Sequence, residues 1–231
     1  MAVIVLVIGE SGTGKSTSLR NFKKGEASVV NVSKKPLPFK NDLAMLKSDN
    51  YKEIETILKR ANSKSIIIDD AQYLMAFEYM HRAKEKGYEK FTDIGSNFFN
   101  LTETAINLPD DKIVYFLSHI EKTKDGTEKC KTIGQLLDEK ITVEGLFSIV
   151  LKTVVTLDGN SQRQFCFATI NNGSDTVKTP MGMFENALIP NDLKAVDTVI
   201  REYYGLPKND ITQIQRGENQ NAGNSIMDFA R

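Results

Sequence analysis

The sequence predicts an α/β fold: a mostly parallel central sheet flanked by helices, with an antiparallel hairpin added late in the chain. Three observations predict it. Short runs of Val, Ile and Leu alternate with helix-like stretches through the first half. Those runs are apolar without a break, as strands covered on both faces require. Later, two β-rich segments, residues 149–157 and 164–170, flank an Asp158-Gly159-Asn160 turn signal.

The elements follow in order. Residues 2–8 form a buried strand ended by Gly9, and a glycine-rich turn leads into a short helix from Lys15 to Phe22. Lys23-Lys24-Gly25 ends that helix with cations and a glycine, which suit a helix C-terminus. Residues 28–32 make a second strand, and residues 34–40, with Pro36 and Pro38, a loop. Asn41 or Asp42 is placed to cap the next turn; residues 51–61 are helical, with Ile54, Ile57 and Leu58 on one face. Residues 65–68 are a third buried strand ending in Asp69-Asp70. Helices over 71–86 and 92–108 follow, separated at Gly87; after the Pro109-Asp110-Asp111 turn, residues 112–117 form a fourth strand ending at Ser118-His119. Residues 121–131 are polar, with a turn at Lys124-Asp125-Gly126-Thr127, and residues 171–183 are a loop. Asn191 caps a last helix carrying Leu193, Val196, Val199, Ile200, Tyr203 and Tyr204, closed by Gly205 and Pro207. The expected organisation is one domain over 1–205 and a flexible polar tail over 206–231. Within that tail Ile226-Met227-Asp228-Phe229 reads as a docking peptide or as a frayed end.

Bulk composition narrows the function. The chain has 231 residues, 40% of them hydrophobic, enough for a packed core. Lys+Arg and Asp+Glu balance at 30 each, so global charge does not argue for nucleic acid. Cys130 and Cys166 are too few for a disulfide framework and lack metal spacing, which fits reduced thiols inside a cell. The opening apolar run has no basic segment before it and stops at residue 8, too short for a signal peptide or membrane span. The expectation is a cytoplasmic protein with no membrane partner.

Gly9-Glu10-Ser11-Gly12-Thr13-Gly14-Lys15-Ser16 fits G-x-x-x-x-G-K-S/T without a gap. Glycines let the backbone wrap an anion closely, and successive N–H groups then point inward. Gly9, Ser11, Gly12, Thr13, Gly14, Lys15, Ser16 and Thr17 are therefore the expected ATP-binding residues. Lys15 serves the β- and γ-phosphates, Ser16 is a Mg2+ ligand, and Thr17 faces the α-phosphate. The start of the following helix adds its positive end.

The strand 65–68 delivers Asp69 and Asp70 to the same edge. Asp69 is expected to hold Mg2+, directly or through water, and Asp70 to accept a proton from the attacking water. Which acid does which job stays open. His119, at the end of the fourth strand, reads as a sensor of the γ-phosphate or as a solvated histidine. His81 reads as surface.

The strand-end signals resemble those of RecA-like P-loop NTPases, with His119 of Phe116-Leu117-Ser118-His119-Ile120 at the switch position. A wider set adds Ile68-Asp69-Asp70-Ala71-Gln72-Tyr73-Leu74-Met75, Gly145-Leu146-Phe147, residues 175–184 and Pro190-Asn191-Asp192-Leu193. Together with residues 9–16 these resemble phage-encoded AAA-type ATP-binding proteins, including the RecA-core recombination ATPases of the Sak group. The resemblance spans most of residues 1–205. It implies ATP hydrolysis, single-stranded DNA binding in a bacterial host, work beside a single-strand-binding protein, and assembly into rings or filaments. It makes residues 120–140 the DNA-facing loop, in which Lys122, Lys124, Lys129, Lys131 and Lys140 meet five acids. A more basic stretch is 20–40, with Arg20, Lys23, Lys24, Lys34, Lys35 and Lys40 against Glu26. It also implies a cation from a neighbouring subunit, for which Lys178 is the candidate, with a surface lysine as the plain alternative.

One departure stands out. RecA-like proteins carry a catalytic glutamate just after the second strand, where this chain reads Asn31-Val32-Ser33-Lys34-Lys35. Either Asp70 replaces it or turnover is slow, which makes a nucleotide-dependent adaptor the first alternative. A small-molecule kinase needs clustered arginines, and the seven here are scattered: Arg20, Arg60, Arg82, Arg163, Arg201, Arg216 and Arg231. A GTPase needs the N-K-x-D motif, and Thr123-Lys124-Asp125 lacks its spacer.

Overall fold

A computed structural model of the chain describes residues 1–209, except 135, 136 and 138–140. Among these, nine strands share one sheet: β1 Val3–Gly9, β2 Ala27–Asn31, β3 Ala44–Leu46, β4 Ser65–Asp69, β5 Ile113–Lys122, β6 Glu128–Cys130, β7 Ile149–Leu157, β8 Arg163–Ala168 and β9 Leu188–Pro190. Four α-helices accompany them: α1 Tyr51–Arg60, α2 Gln72–His81, α3 Glu89–Ile106 and α4 Leu193–Tyr204. The strand order is β3-β2-β4-β5-β1-β7-β8-β9, with β6 paired to β5. Strands β3 through β7 of that path run parallel; β8 and β9 are antiparallel additions, as is β6. The expected α/β class with an added hairpin is what the chain adopts.

Strand alternation explains the layering. Leu6, Ile8, Ile66, Ile68, Val114 and Phe116 face one side and pack against Ile54 and Leu58 of α1, Leu74 and Met75 of α2, and Ile94 and Phe98 of α3. Val5, Val7, Ile67, Tyr115, Leu117 and Leu151 face the other and pack against Leu193, Val196 and Ile200 of α4. Both faces are covered, so the strands carry the continuous apolar runs that announced them.

Several expectations need correction. The segment after the glycine loop is a six-residue 3₁₀ turn, Ser16–Asn21, in place of an α-helix from Lys15 to Phe22. Ser16, Thr17 and Ser18 are weak helix formers. Ser18 also donates its hydroxyl to the Lys15 carbonyl at 2.6 Å, while its N–H is shared between the Gly14 and Lys15 carbonyls, which tightens the turn. Asn41 accepts the Leu43 N–H on its side chain at 3.3 Å just before β3, while helix α1 is capped by Asn50, whose side chain accepts from the N–H groups of Lys52 and Glu53. Helix α4 is capped by Asp192, one residue beyond the expected Asn191, through the N–H groups of Lys194 and Ala195. Strands β3 and β9 have three residues each, too short for a period-2 pattern to register.

At the N-terminal end of the sheet, α4 is locked by a buried polar cluster. Asp197 takes Arg201 Nε at 2.7 Å, Ser65 Oγ at 2.6 Å and Tyr115 OH at 3.0 Å. Arg201 also donates to the Asp111 and Pro207 carbonyls. Residues 206–209, expected in the flexible tail, are held here: Leu206 N–H bonds the Arg201 carbonyl, and Asn209 donates to Ser65 Oγ and the Glu26 carbonyl. Residues 210–231, with the proposed docking peptide, lie outside the described residues. Among those described, no helix is long and apolar enough to cross a membrane.

Candidate active site

Parallel register brings the predicted groups to one edge. Gly9 of β1 is level with His119 of β5, and Ile68 of β4 with Phe116 of β5. Strand β5 therefore lies between the acid strand and the phosphate-loop strand, and the C-terminal ends of all three open on one crevice. That crevice is a cavity of about 620 Å³, lined by Ser11, Gly12, Gly14, Lys15, Ser16 and Thr17 on one wall and by Asp70, Gln72, Tyr73 and His119 on another.

The loop glycines have separate reasons. Gly12 and Gly14 adopt φ of 78° and 99°, the left-handed region that a Cβ disfavours. At Gly9 the obstacle is space: a Cβ would sit 1.9 Å from Thr153 Oγ1 of β7. Thr13 does not line the cavity; its hydroxyl meets Thr153 Oγ1 at 2.6 Å and donates to the Glu10 carbonyl at 2.8 Å. Gly9 and Thr13 thus shape the loop, and the other predicted loop residues face the cavity.

Lys15 folds back over the loop, donating Nζ to the Gly9 and Glu10 carbonyls at 2.8 Å each. Its ammonium is also 3.4 Å from His119 Nδ1. Burial lowers the Lys15 pKa to about 8, against the opposing pull of Asp70, Asp69 and Glu10. The ammonium is held where a polyanion would repay its desolvation.

Ser16 Oγ donates to Asp69 Oδ1 at 2.9 Å. Burial, and then the neighbouring Asp70 charge, raise the Asp69 pKa to about 6, although Ser16 and Lys15 oppose the shift. A hydroxyl and a carboxylate side by side are hard oxygen donors and fit Mg2+, which takes few protein ligands and fills its octahedron with phosphate oxygens and water. Among the described residues there is no group of three or more His, Cys, Asp or Glu that could hold a metal ion.

Asp70 sits at φ 61°, a strained backbone for a non-glycine residue. Its carboxylate is 3.5 Å from His119 Nε2. Burial pushes its pKa up, but hydrogen bonds from His119 and Ser33 and the charges of His119 and Lys15 outweigh that and leave it below the usual value. Asp70 therefore stays ionised and able to accept a proton. The two neighbouring acids are driven in opposite directions by their surroundings, Asp69 up by burial and Asp70 down by its hydrogen-bonded and charged neighbours.

His119 is fixed from three sides. Its backbone N–H donates to Gln72 Oε1 at 3.1 Å, its ring meets Tyr73 edge-on at 5.9 Å, and its two nitrogens face Lys15 and Asp70. It is no solvated strand end. His81 is exposed at the end of α2, as expected.

Lys178 is elsewhere. Its backbone pairs with Val150 on β7, and it is absent from the cavity wall. The basic stretch is partly consumed: Arg20 donates to the Asn191 and Thr17 carbonyls and Lys34 pairs with Asp49 at 2.8 Å. In the expected DNA-facing segment, Lys122 pairs with Glu128 at 3.3 Å and Lys129 with Glu121 at 3.6 Å, while residues 135, 136 and 138–140 lie outside the described residues. Four further residues line the cavity that the sequence did not assign to it: Lys35 of the basic stretch, Gln72 and Tyr73 of the segment after Asp70, and Phe165. Only the fold brings them there.

No protein-family profile matches the sequence, and no curated protein matches it. Among solved structures it is similar to the Legionella pneumophila ATPase DotB, at 10% identity and a TM-score of 0.36 over 95% of this chain and 53% of that one. The chain thus spans about half the length of DotB.

Proposed function

We propose that this protein binds and hydrolyses Mg-ATP and acts on single-stranded DNA in phage recombination or replication, beside a single-strand-binding protein and as a ring or filament. The observation that carries the nucleotide half is the contact of Ser16 with Asp69 beside a loop whose Lys15 reaches His119 and, through it, Asp70. In this arrangement the loop N–H groups and Lys15 hold the phosphates, Ser16 and Asp69 hold Mg2+, and the metal when bound offsets charge on the phosphate oxygens. Asp70 takes the proton of the attacking water. His119, touching both Lys15 and Asp70, registers whether the terminal phosphate is present. Resemblance alone supports the DNA half; in the expected DNA-facing segment Lys122 and Lys129 are ion-paired.

The test is ATP turnover with and without single-stranded DNA, in wild type and Lys15→Ala. The proposal expects DNA-stimulated turnover that Lys15→Ala abolishes, and DNA affinity that falls steeply with salt. Unchanged activity in Lys15→Ala overturns the site; a flat salt response overturns DNA as the partner.

A second reading, a nucleotide-dependent adaptor with little hydrolysis, is favoured by the absence of an acid after β2, where Ser33 stands. Tight ATP binding with no turnover in either condition selects it.

A further inference from the structure

The loop after β2 is built with more care than a connector needs. Asn31, 1% exposed, donates Nδ2 to the Lys35 carbonyl at 2.6 Å. Lys34 is held at φ 61°, and its ammonium is anchored on Asp49. Ser33 donates its hydroxyl to Asn31 Oδ1 at 3.4 Å. Two non-glycine residues of this region, Lys34 and Asp70, have positive φ, and strain of this kind persists where surrounding structure imposes it. The outcome is that Lys35 lines the cavity, its ammonium 5.5 Å from the centre of the Tyr73 ring, whose edge-on partner is His119.

Lys15 and Lys35 thus both line the one cavity, together with Asp70, Tyr73 and His119. Lys35 is linked to the loop side through Tyr73 and His119, whose ring nitrogens meet Lys15 and Asp70. A terminal phosphate held by Lys15 and Ser16 would share this cavity with Lys35. We propose that Lys35 is a catalytic cation acting in cis, whose ammonium contacts the terminal phosphate of the bound nucleotide and offsets the charge that develops as it is transferred. The inference rests on the ATPase reading above, and it gives to Lys35 the role that sequence alone had suggested for Lys178 of another subunit. In the step, the water oxygen bonds to the terminal phosphorus and the bond from that phosphorus to the bridging oxygen breaks. The electron pair of the broken bond stays with ADP, and the water proton passes to Asp70. Lys35 keeps its protons and supplies charge alone.

The experiment compares binding of ADP and of a non-hydrolysable ATP analogue, each with Mg2+, to full-length wild type, Lys35→Ala, Lys35→Arg and Lys131→Ala. Lys131 also lines the cavity. Lys35→Ala should keep ADP affinity within about twofold and lose about tenfold for the analogue, with Lys35→Arg restoring most of it. Turnover should fall about 100-fold or more with little change in KM. Mixing Lys35→Ala with Lys15→Ala should restore no activity, because each site needs both lysines in one chain. Equal loss for ADP and analogue, activity recovered on mixing, or an analogue-selective loss confined to Lys131→Ala would each overturn the inference. Wild type that binds neither nucleotide would instead overturn the nucleotide reading itself, and the inference with it.

Discussion

Ser16 and Asp69, 53 positions apart in the chain, meet through a 2.9 Å hydrogen bond from hydroxyl to carboxylate. The bond joins the two halves of the proposed Mg-nucleotide site across an intervening strand.

The first prediction concerns the cost of that readiness. The folded-state pKa of Asp69 is raised, from 3.8 to about 6. A raised carboxyl pKa means that folding takes up a proton between those values, so the stabilisation is complete below about 4 and is lost as pH rises through about 6. The nucleotide-free protein should therefore gain stability from this group when pH is lowered from 7 to 5. Asp69→Asn should remove this pH response and stabilise the empty protein at pH 7 by on the order of 1–3 kcal/mol, while weakening Mg-nucleotide binding. Thermal melts of both forms at pH 5 and 7 check it; identical pH profiles would refute it.

Asp70→Asn should separate binding from chemistry. The side chain keeps its size and the strained backbone keeps an Asn-tolerant conformation, so nucleotide affinity should stay within a few-fold. Turnover should drop by about 10²–10⁴ with the loss of the base. Steady-state rates alongside nucleotide titration decide the matter, and an unchanged rate would move the role to another group.

Gly9→Ala should destabilise the protein by at least about 2 kcal/mol, since the new methyl meets Thr153 Oγ1 at 1.9 Å. Adding Thr153→Ala removes the obstructing hydroxyl and should recover part of the loss. Denaturant unfolding of the single and double variants gives the coupling. Strict additivity would show that the clash is relieved in some other way.

At the far end of the sheet, Asp197→Ala strands the buried Arg201 guanidinium and should cost about 3–5 kcal/mol. Replacing both residues with apolar ones of similar size should cost far less. Nucleotide affinity at a temperature where the variants are folded should be unaffected, because the cluster stands at the opposite edge from the cavity; a change there would contradict the separation.

The sequence shows most of the frame and the grip on phosphate for one physical reason. Strands covered on both faces must be apolar throughout, and a backbone that wraps an anion must be rich in glycine, so both leave local traces. The acids at the end of β4 were legible in the same way. What sequence could not show depends on which strand lies beside which. His119 reaches Lys15 only because β5 is inserted between β4 and β1. Lys35 reaches the cavity only because β2 is neighbour to β4. The 3₁₀ form of Ser16–Asn21 was missed for a smaller reason: three hydroxyl residues in a row compete for backbone partners, and a periodic pattern does not record that contest.

The turn that follows the phosphate loop is also moored at its far side. Arg20 donates to the Asn191 carbonyl at 2.6 Å and Asn21 to Asp192 at 2.7 Å, so the junction of β9 and α4 takes its position from Ser16–Asn21. Strand β9 is the outermost strand on that flank. The cavity-facing loop and the outermost strand of that flank are thereby fastened to each other through one short turn, so loosening Arg20 or Asn21 bears on both.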